Sequence, residues 1–158
     1  MNWQEVLEHP SLQDLPFKIE LDEYGRVIMS PVKIYHSILQ GEIVYLLRKL
    51  MSSGKTLPEC AIKTRKGTRV ADIAWASDML LAQIKDLAET LIAPEICIEI
   101  ISASNTQKEL LEKRHLYFES GAKEVWLCDD NGTLSFFNSQ GSLIQSELAP
   151  AFPQHLEL

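Results

Sequence analysis

The chain has 158 residues, 46% of them hydrophobic and 23% charged, with 7 glycines and 7 prolines. That size and balance suit one globular domain able to bury a core without disulfides or a structural metal, and they exclude a disordered or low-complexity chain. Twenty-two acidic against fifteen basic residues give a net charge of -7, which argues against a general nucleic-acid coat protein and confines any DNA contact to a locally positive groove.

The opening MNWQEVLEHPSLQDLPF carries acids and no apolar run, so it does not read as a secretory signal. Residues 2–8 predict a short helix leading to Pro10. FKIELDEYGRVIMSP reads as two strands, 17–22 and 26–30, around a Glu-Tyr-Gly turn. Pro31 opens a predicted helix over 32–51, with Tyr35, Leu39, Ile43, Leu46 and Leu50 at helical spacing, ended by Ser52-Ser53-Gly54. A strand at 58–64, a basic turn Arg65-Lys66-Gly67 and a strand at 69–75 follow. Residues 78–90 read as a helix closed by Ala93-Pro94. The run EICIEII, 95–101, is short, β-branched and apolar on both faces, as a central buried strand is. A helix at 105–120 follows, with Thr106 and Glu109 spaced as a capping box and Gly121 as the C-cap. KEVWLC at 123–128 is a strand, Asp130-Asn131-Gly132 a hairpin turn into a strand at 133–137, and 142–146 one strand more.

Strand, helix and strand over 95–128 make one crossover unit of the length parallel pairing needs, whereas the earlier strands come as hairpins. The expectation is an α/β (α+β) fold, a mixed sheet with helices on its faces, in a single domain over 1–158. Cys60, Cys97 and Cys128 lie far apart without a C-x-x-C pair, as buried reduced thiols of a cytoplasmic protein do. No stretch approaches the roughly 18 apolar residues a membrane span requires, so no membrane partner is expected.

Alternation puts Glu95, Cys97, Glu99 and Ile101 on one face of the 95–101 strand and Ile96, Ile98 and Ile100 on the other. Glu99 therefore carries a charge into an apolar strand, and such a charge demands a partner or a metal. Asp72, in VADIAW, stands near the end of another strand. Two carboxylates on neighbouring strands form a hard oxygen site suited to Mg2+ or Mn2+. Asp72 alone could equally cap a loop, and Glu99 alone could be held in a buried salt bridge. On the following helix Leu110, Leu111, Tyr117 and Phe118 mark the buried face. Lys113 falls about 100° from its centre, at a rim from which it can reach the Glu99 pocket.

The segments VADIAW, APEICIEIISAS and EKRHLYFESGAKEVWLCDD together resemble the Uma-two group of restriction endonucleases, in the PD-(D/E)XK nuclease superfamily. Asp72, Pro94, Glu99, Ser102, Lys113, Tyr117, Gly121, Glu124, Trp126 and Asp129 match the group's pattern at its spacings. The early helix with His36 and the C-terminal SELAPAFPQHLEL fit as well. Ala71 replaces the proline of the PD pair, Ile101 stands where the superfamily has its lysine, Glu109 replaces an aspartate, and Glu95 stands where the group often has Asp. The resemblance points to Lys113 as the lysine moved onto the helix.

That resemblance implies a restriction endonuclease-like mixed β-sheet flanked by helices, and DNA phosphodiester hydrolysis with Mg2+ or Mn2+ held by Asp72, Glu99 and the carbonyl of Ile100. On the same resemblance, Asp72, Glu99 and Lys113 are expected to carry the catalysis. Glu42, on the rim of the first long helix, completes the acids by analogy, or is a plain solvated glutamate. Lys63, Arg65, Lys66 and Arg69, leading into the Asp72 strand, are the candidates for DNA phosphates. Ser102 either touches a phosphate or caps a turn. Double-strand cutting favours a homodimer. The rivals are an inactive binding module with this fold, a sheet-edge assembly protein, and a hydrolase using Cys97 or Cys128, for which His9, His36, His115 and His155 lack a nucleophile-elbow context. The nuclease reading requires Asp72 and Glu99 to come close enough to share a cation, and fails if they stand far apart or if each is locked in its own ion pair with no room for a metal.

Overall fold

A computed structural model describes all 158 residues. The chain opens with α1 (Trp3–Glu8) and a 3-10 turn (Pro10–Leu12), then forms an antiparallel ribbon of β1 (Phe17–Leu21) and β2 (Val27–Pro31). After α2 (Ile34–Leu50) come β3 (Lys55–Thr64), β4 (Gly67–Ala76) and the short α3 (Asp78–Ile84). Next are β5 (Ile96–Ile100), α4 (Gln107–Glu119), β6 (Glu124–Cys128), β7 (Leu134–Asn138) and β8 (Gly141–Leu143). The last six strands form one sheet in the order β3-β4-β5-β6-β7-β8. Only β5 and β6 pair in parallel, across the α4 crossover, so the sheet is mixed as expected.

The sheet separates two cores. On one side Leu39, Ile43 and Leu47 of α2 meet Ile73, Ile96, Ile98, Ile100, Trp126 and Phe136. On the other, Tyr117 of α4 packs with Cys97, Val125, Ala122 and Ile62. The capping box of Thr106 and Glu109 forms as its spacing predicts, and so starts α4 just after the end of β5. A third cluster of Trp3, Val6, Leu21 and Val70 fastens the β1–β2 ribbon to β4. Gly67, at φ 93°, makes that approach possible: a Cβ there would lie 2.3 Å from the carbonyl oxygen of Leu21.

Three boundaries differ from the sequence expectation. The helix expected over 78–90 ends at Ile84. The chain beyond it runs out to the edge of β3, where Thr90 N–H donates to the Ala61 carbonyl and Lys63 N–H to the Thr90 carbonyl, and these bonds cover an otherwise open strand edge. The last strand stops at Leu143 because the backbone of Glu147 and Leu148 turns to the buried carboxylate of Glu124. β3 begins at Lys55, three residues early, since Pro58 is tolerated within an edge strand. No helix is long and apolar enough to cross a membrane.

Candidate active site

The site lies where β4 leaves its ladders. The β3–β4 pairs run Pro58↔Ile73 and then Cys60↔Ala71, skipping Glu59 and Asp72, and Glu59 takes a left-handed φ of 56°. On the other side the last β4–β5 pair is Ile73↔Ile98, so Asp72 and Glu99 would be the next one. Asp72 is thus freed from both neighbours, and side chains take over its backbone bonding. Gln40 of α2 donates to the Asp72 carbonyl at 2.8 Å and to Glu59 Oε1 at 2.8 Å. The Asp72 carboxylate replaces a ladder bond, with Oδ2 accepting from Ile100 N–H at 2.8 Å.

Asp72 and Glu99 are 1% and 5% exposed and share one cation. That cation is the ammonium of Lys18, 3.0 Å from Asp72 Oδ1 and 3.1 Å from Glu99 Oε2. His36 Nε2 lies 3.1 Å from the same Oδ1, while its Nδ1 is buried without a partner. On the far oxygen of Glu99, Tyr117 donates its hydroxyl at 2.6 Å and Lys113 Nζ stands at 3.2 Å. Lys113 also binds Glu20 Oε2 at 2.8 Å, an oxygen that accepts from Val70 N–H at 2.8 Å as well. Three carboxylates, Glu20, Asp72 and Glu99, therefore face two ammoniums.

That unequal count sets the electrostatics. For Asp72, burial works to raise the pKa, but Lys18, His36 and the Ile100 N–H outweigh it and hold the acid below the usual carboxylate range. Burial opposes ionisation of Glu20 too, yet Lys113 and Lys18 hold its carboxyl below its ordinary value. Glu99 takes the unmatched charge. Burial, with Asp72 and Glu20 nearby, pushes its carboxyl above the ordinary value despite both lysines. Lys18 is itself buried, but Glu99, Asp72 and Glu20 overcome that penalty and keep it charged. The Tyr117 hydroxyl is pushed far up by burial and by Glu99, so it serves as a donor.

Of the residues singled out from sequence, Asp72, Glu99 and Lys113 come together, with Ile100 alongside. Glu42 does not. It is exposed on α2 and has no bond to the cluster, because the stripe His36, Leu39, Ile43 and Leu47 turns Glu42 away from the sheet. The third acid of the cluster is Glu20, on β1. Glu20 and Lys18 escaped sequence reasoning because Phe17-Lys18-Ile19-Glu20-Leu21 alternates like a strand with one solvated face. The face they occupy is instead closed by α4 and by the ends of β4 and β5. The alternating charges at positions 18 and 20 were the available signal.

The basic turn divides. Arg65 and Lys66 are paired with Glu119 and Glu112 of α4, each at 3.4 Å, and Lys63 is exposed on β3. Arg69 lines a cleft of about 610 Å3 beside Glu20, Glu99, Lys108 and Lys113. Ser102 bonds within its own turn, to Ser104 Oγ at 2.7 Å and to Asn105 Oδ1. The thiols give no nucleophile: Cys97 is buried and donates to the Pro94 carbonyl, and burial holds the Cys60 and Cys128 thiols up at about 12.

No three His, Cys, Asp or Glu side chains stand close enough to cage a metal by themselves. The donor set nonetheless fits a hard dication of the Mg2+ type, which takes one or two carboxylates and fills its other positions with water and substrate phosphate. Asp72 Oδ1 and Glu99 Oε2 already converge on a single positive charge.

A mixed sheet flanked by helices, with buried acids where β4 and β5 part, is a nuclease-like α/β architecture. The chain belongs to the Uma2 family, whose model, described as "Putative restriction endonuclease", matches residues 3–158. It shares its fold with a crystal structure described as "a putative nuclease belonging to DUF820" from Anabaena variabilis ATCC 29413. The TM-score is 0.76 at 20% identity, over 99% of this chain and 94% of that one. No curated protein matches the chain.

Proposed function

We propose that the protein is a metal-dependent DNA endonuclease that hydrolyses phosphodiester bonds at the Asp72–Glu99 cluster. One observation carries the proposal: carboxylates from neighbouring strands share a single cation, with a lysine on the remaining oxygen of one of them. Asp72 and Glu99 would hold Mg2+ or Mn2+. The Ile100 carbonyl would join them, since an extended residue points its N–H and C=O to the same strand edge and this N–H faces Asp72. An ion held there would supply positive charge against the phosphate and would make a nearby water more acidic.

The chain's own groups do the rest. Tyr117 and Lys113 fix the Glu99 carboxylate from the α4 side, and Gln40 and the Ile100 N–H fix Asp72 from the other. Lys113 Nζ, at the cleft wall, is placed to steady charge growing on the phosphate or to orient water. Arg69 and Lys108 line the same cleft and bring positive charge to the DNA backbone in an otherwise acidic chain. Cutting both strands of a duplex would use two copies about a twofold axis.

Plasmid cleavage tests the proposal. Mg2+ or Mn2+ should support cutting, while EDTA and the Asp72→Asn, Glu99→Gln double variant should each abolish it. Equal cutting in all conditions would assign the activity to a contaminant. A binding module without turnover is the second reading, favoured by the ammonium that already satisfies both acids.

A further inference from the structure

We propose that Lys18 is a resident counter-cation that occupies the divalent site, so that a metal binds only by displacing its ammonium from between Asp72 and Glu99. The inference rests on the metal-site reading above and adds a built-in competitor to it.

The geometry is specific. Lys18 Nζ touches Asp72 Oδ1 at 3.0 Å and Glu99 Oε2 at 3.1 Å. Those are the two oxygens through which the acids share a cation, and Asp72 Oδ1 also meets His36 Nε2 at 3.1 Å. The other oxygens are taken: Asp72 Oδ2 by the Ile100 N–H, and Glu99 Oε1 by Tyr117 and Lys113. A dication that uses both acids must therefore use the pair Lys18 holds. An ammonium and a dication cannot share one point between two carboxylates, because the two positive charges would repel at contact distance. Two lysines thus have separate places here. Lys113 binds the outer oxygen of Glu99 and can remain beside a metal, whereas Lys18 cannot remain where it is.

The scaffold suits this division. Lys18 is carried by β1, in a two-stranded ribbon that forms no strand ladder with the main sheet. Lys18, Asp72 and Glu99 themselves line a second, small cleft that continues past Ser30, Val32 and Asn105, and a long flexible side chain can swing along that space. Without a metal, the ammonium spares the protein two adjacent buried carboxylates with only Lys113 as a cationic partner, and that one on the outer oxygen of Glu99. The same contact sets a threshold for metal entry.

Mn2+ titration by calorimetry tests the assignment, with Lys18→Met and Lys18→Arg beside the wild type. Removing the ammonium should tighten Mn2+ binding by roughly tenfold or more, since 1.4 kcal/mol is one decade and a metal no longer has to break a buried ion pair, which costs more than that. Arginine, whose planar fork can span two carboxylates, should weaken binding below the wild type. A merely structural lysine would weaken binding on either change, and equal or weaker binding in Lys18→Met overturns the proposal. Amine labelling of the wild-type protein, read by mass spectrometry, decides the matter even if Lys18→Met fails to fold. Lys18 should be protected without metal and labelled once Mn2+ binds; unchanged protection with Mn2+ bound overturns the proposal. Asp72→Asn separates the two readings. If it abolishes Mn2+ binding while wild type and Lys18→Met bind alike, the metal site stands and the resident cation falls. If Asp72→Asn leaves binding intact, or no form binds Mn2+, both fall.

Discussion

Because three carboxylates face two ammoniums, losing an anion and losing a cation should have very different costs. Consider Glu20→Gln against Lys113→Met. Glutamine keeps the shape of Glu20, and its carbonyl oxygen can still accept from the Val70 N–H, now at 2.8 Å from Glu20 Oε2. It removes the surplus negative charge, leaving two acids against two amines. Removing one member of a buried pair ordinarily costs about 3–5 kcal/mol through the stranded partner. Here the stranded partner, Lys113, still has Glu99 at 3.2 Å, so Glu20→Gln should cost about 1 kcal/mol, the scale of one net hydrogen bond. Lys113→Met does the opposite and leaves three acids with Lys18 alone. It should cost about 3 kcal/mol, the low end of that range because 19% of the Lys113 side chain is exposed. Urea denaturation at neutral pH measures both. Each kcal/mol should also move the melting temperature by about 2–4 °C in a domain of this size. Equal costs for the two variants, or a larger one for Glu20→Gln, would refute the charge count.

Acid should destabilise the protein through Asp72 and Glu20. Their folded pKa values lie below the ordinary 3.8 and 4.5, so the unfolded chain takes up protons first. Their contribution is complete above those ordinary values and is lost as pH falls beneath them, which unfolding curves from pH 6 downward should show and Asp72→Asn should flatten. Glu99 runs the other way, with its folded value above the ordinary 4.5. Protons should therefore compete with Mn2+ at a pH higher than for an exposed glutamate, a shift visible in calorimetry as the pH is lowered stepwise. Tyr117→Phe removes the donor 2.6 Å from Glu99 Oε1 and should cost about 1–3 kcal/mol in a urea melt. Glu124→Ala strands the four donors the buried carboxylate accepts from, Trp126 Nε1, Ser146 Oγ and the N–H groups of Glu147 and Leu148. A loss of about 4 kcal/mol or more should follow, with faster hydrogen exchange at Glu147 and Leu148. Arg69→Ala should weaken DNA binding at every sequence alike and lower the slope of log affinity against log salt by about 1.

Local chemistry made much of this protein legible before its fold was known. The EICIEII run reads as a central strand because apolar residues fill both faces, and it is one, flanked by β4 and β6. The capping box at Thr106 and Glu109 starts α4, and the crossover from β5 to β6 has the length that their parallel pairing needs. Asp72 and Glu99 stand out as charges that an apolar strand cannot hold alone. What surrounds them was decided by tertiary structure. Glu20 and Lys18 sit on a strand whose alternation suits open solvent, and only the docking of that ribbon over the parting of β4 and β5 buries them. Glu42 stands at the rim of the first long helix, yet the rotation of α2 that places His36 and Leu47 inside leaves it outside. Periodicity specifies which residues share a face, but a face acquires its chemistry from what packs against it, and that depends on contacts between segments tens of residues apart.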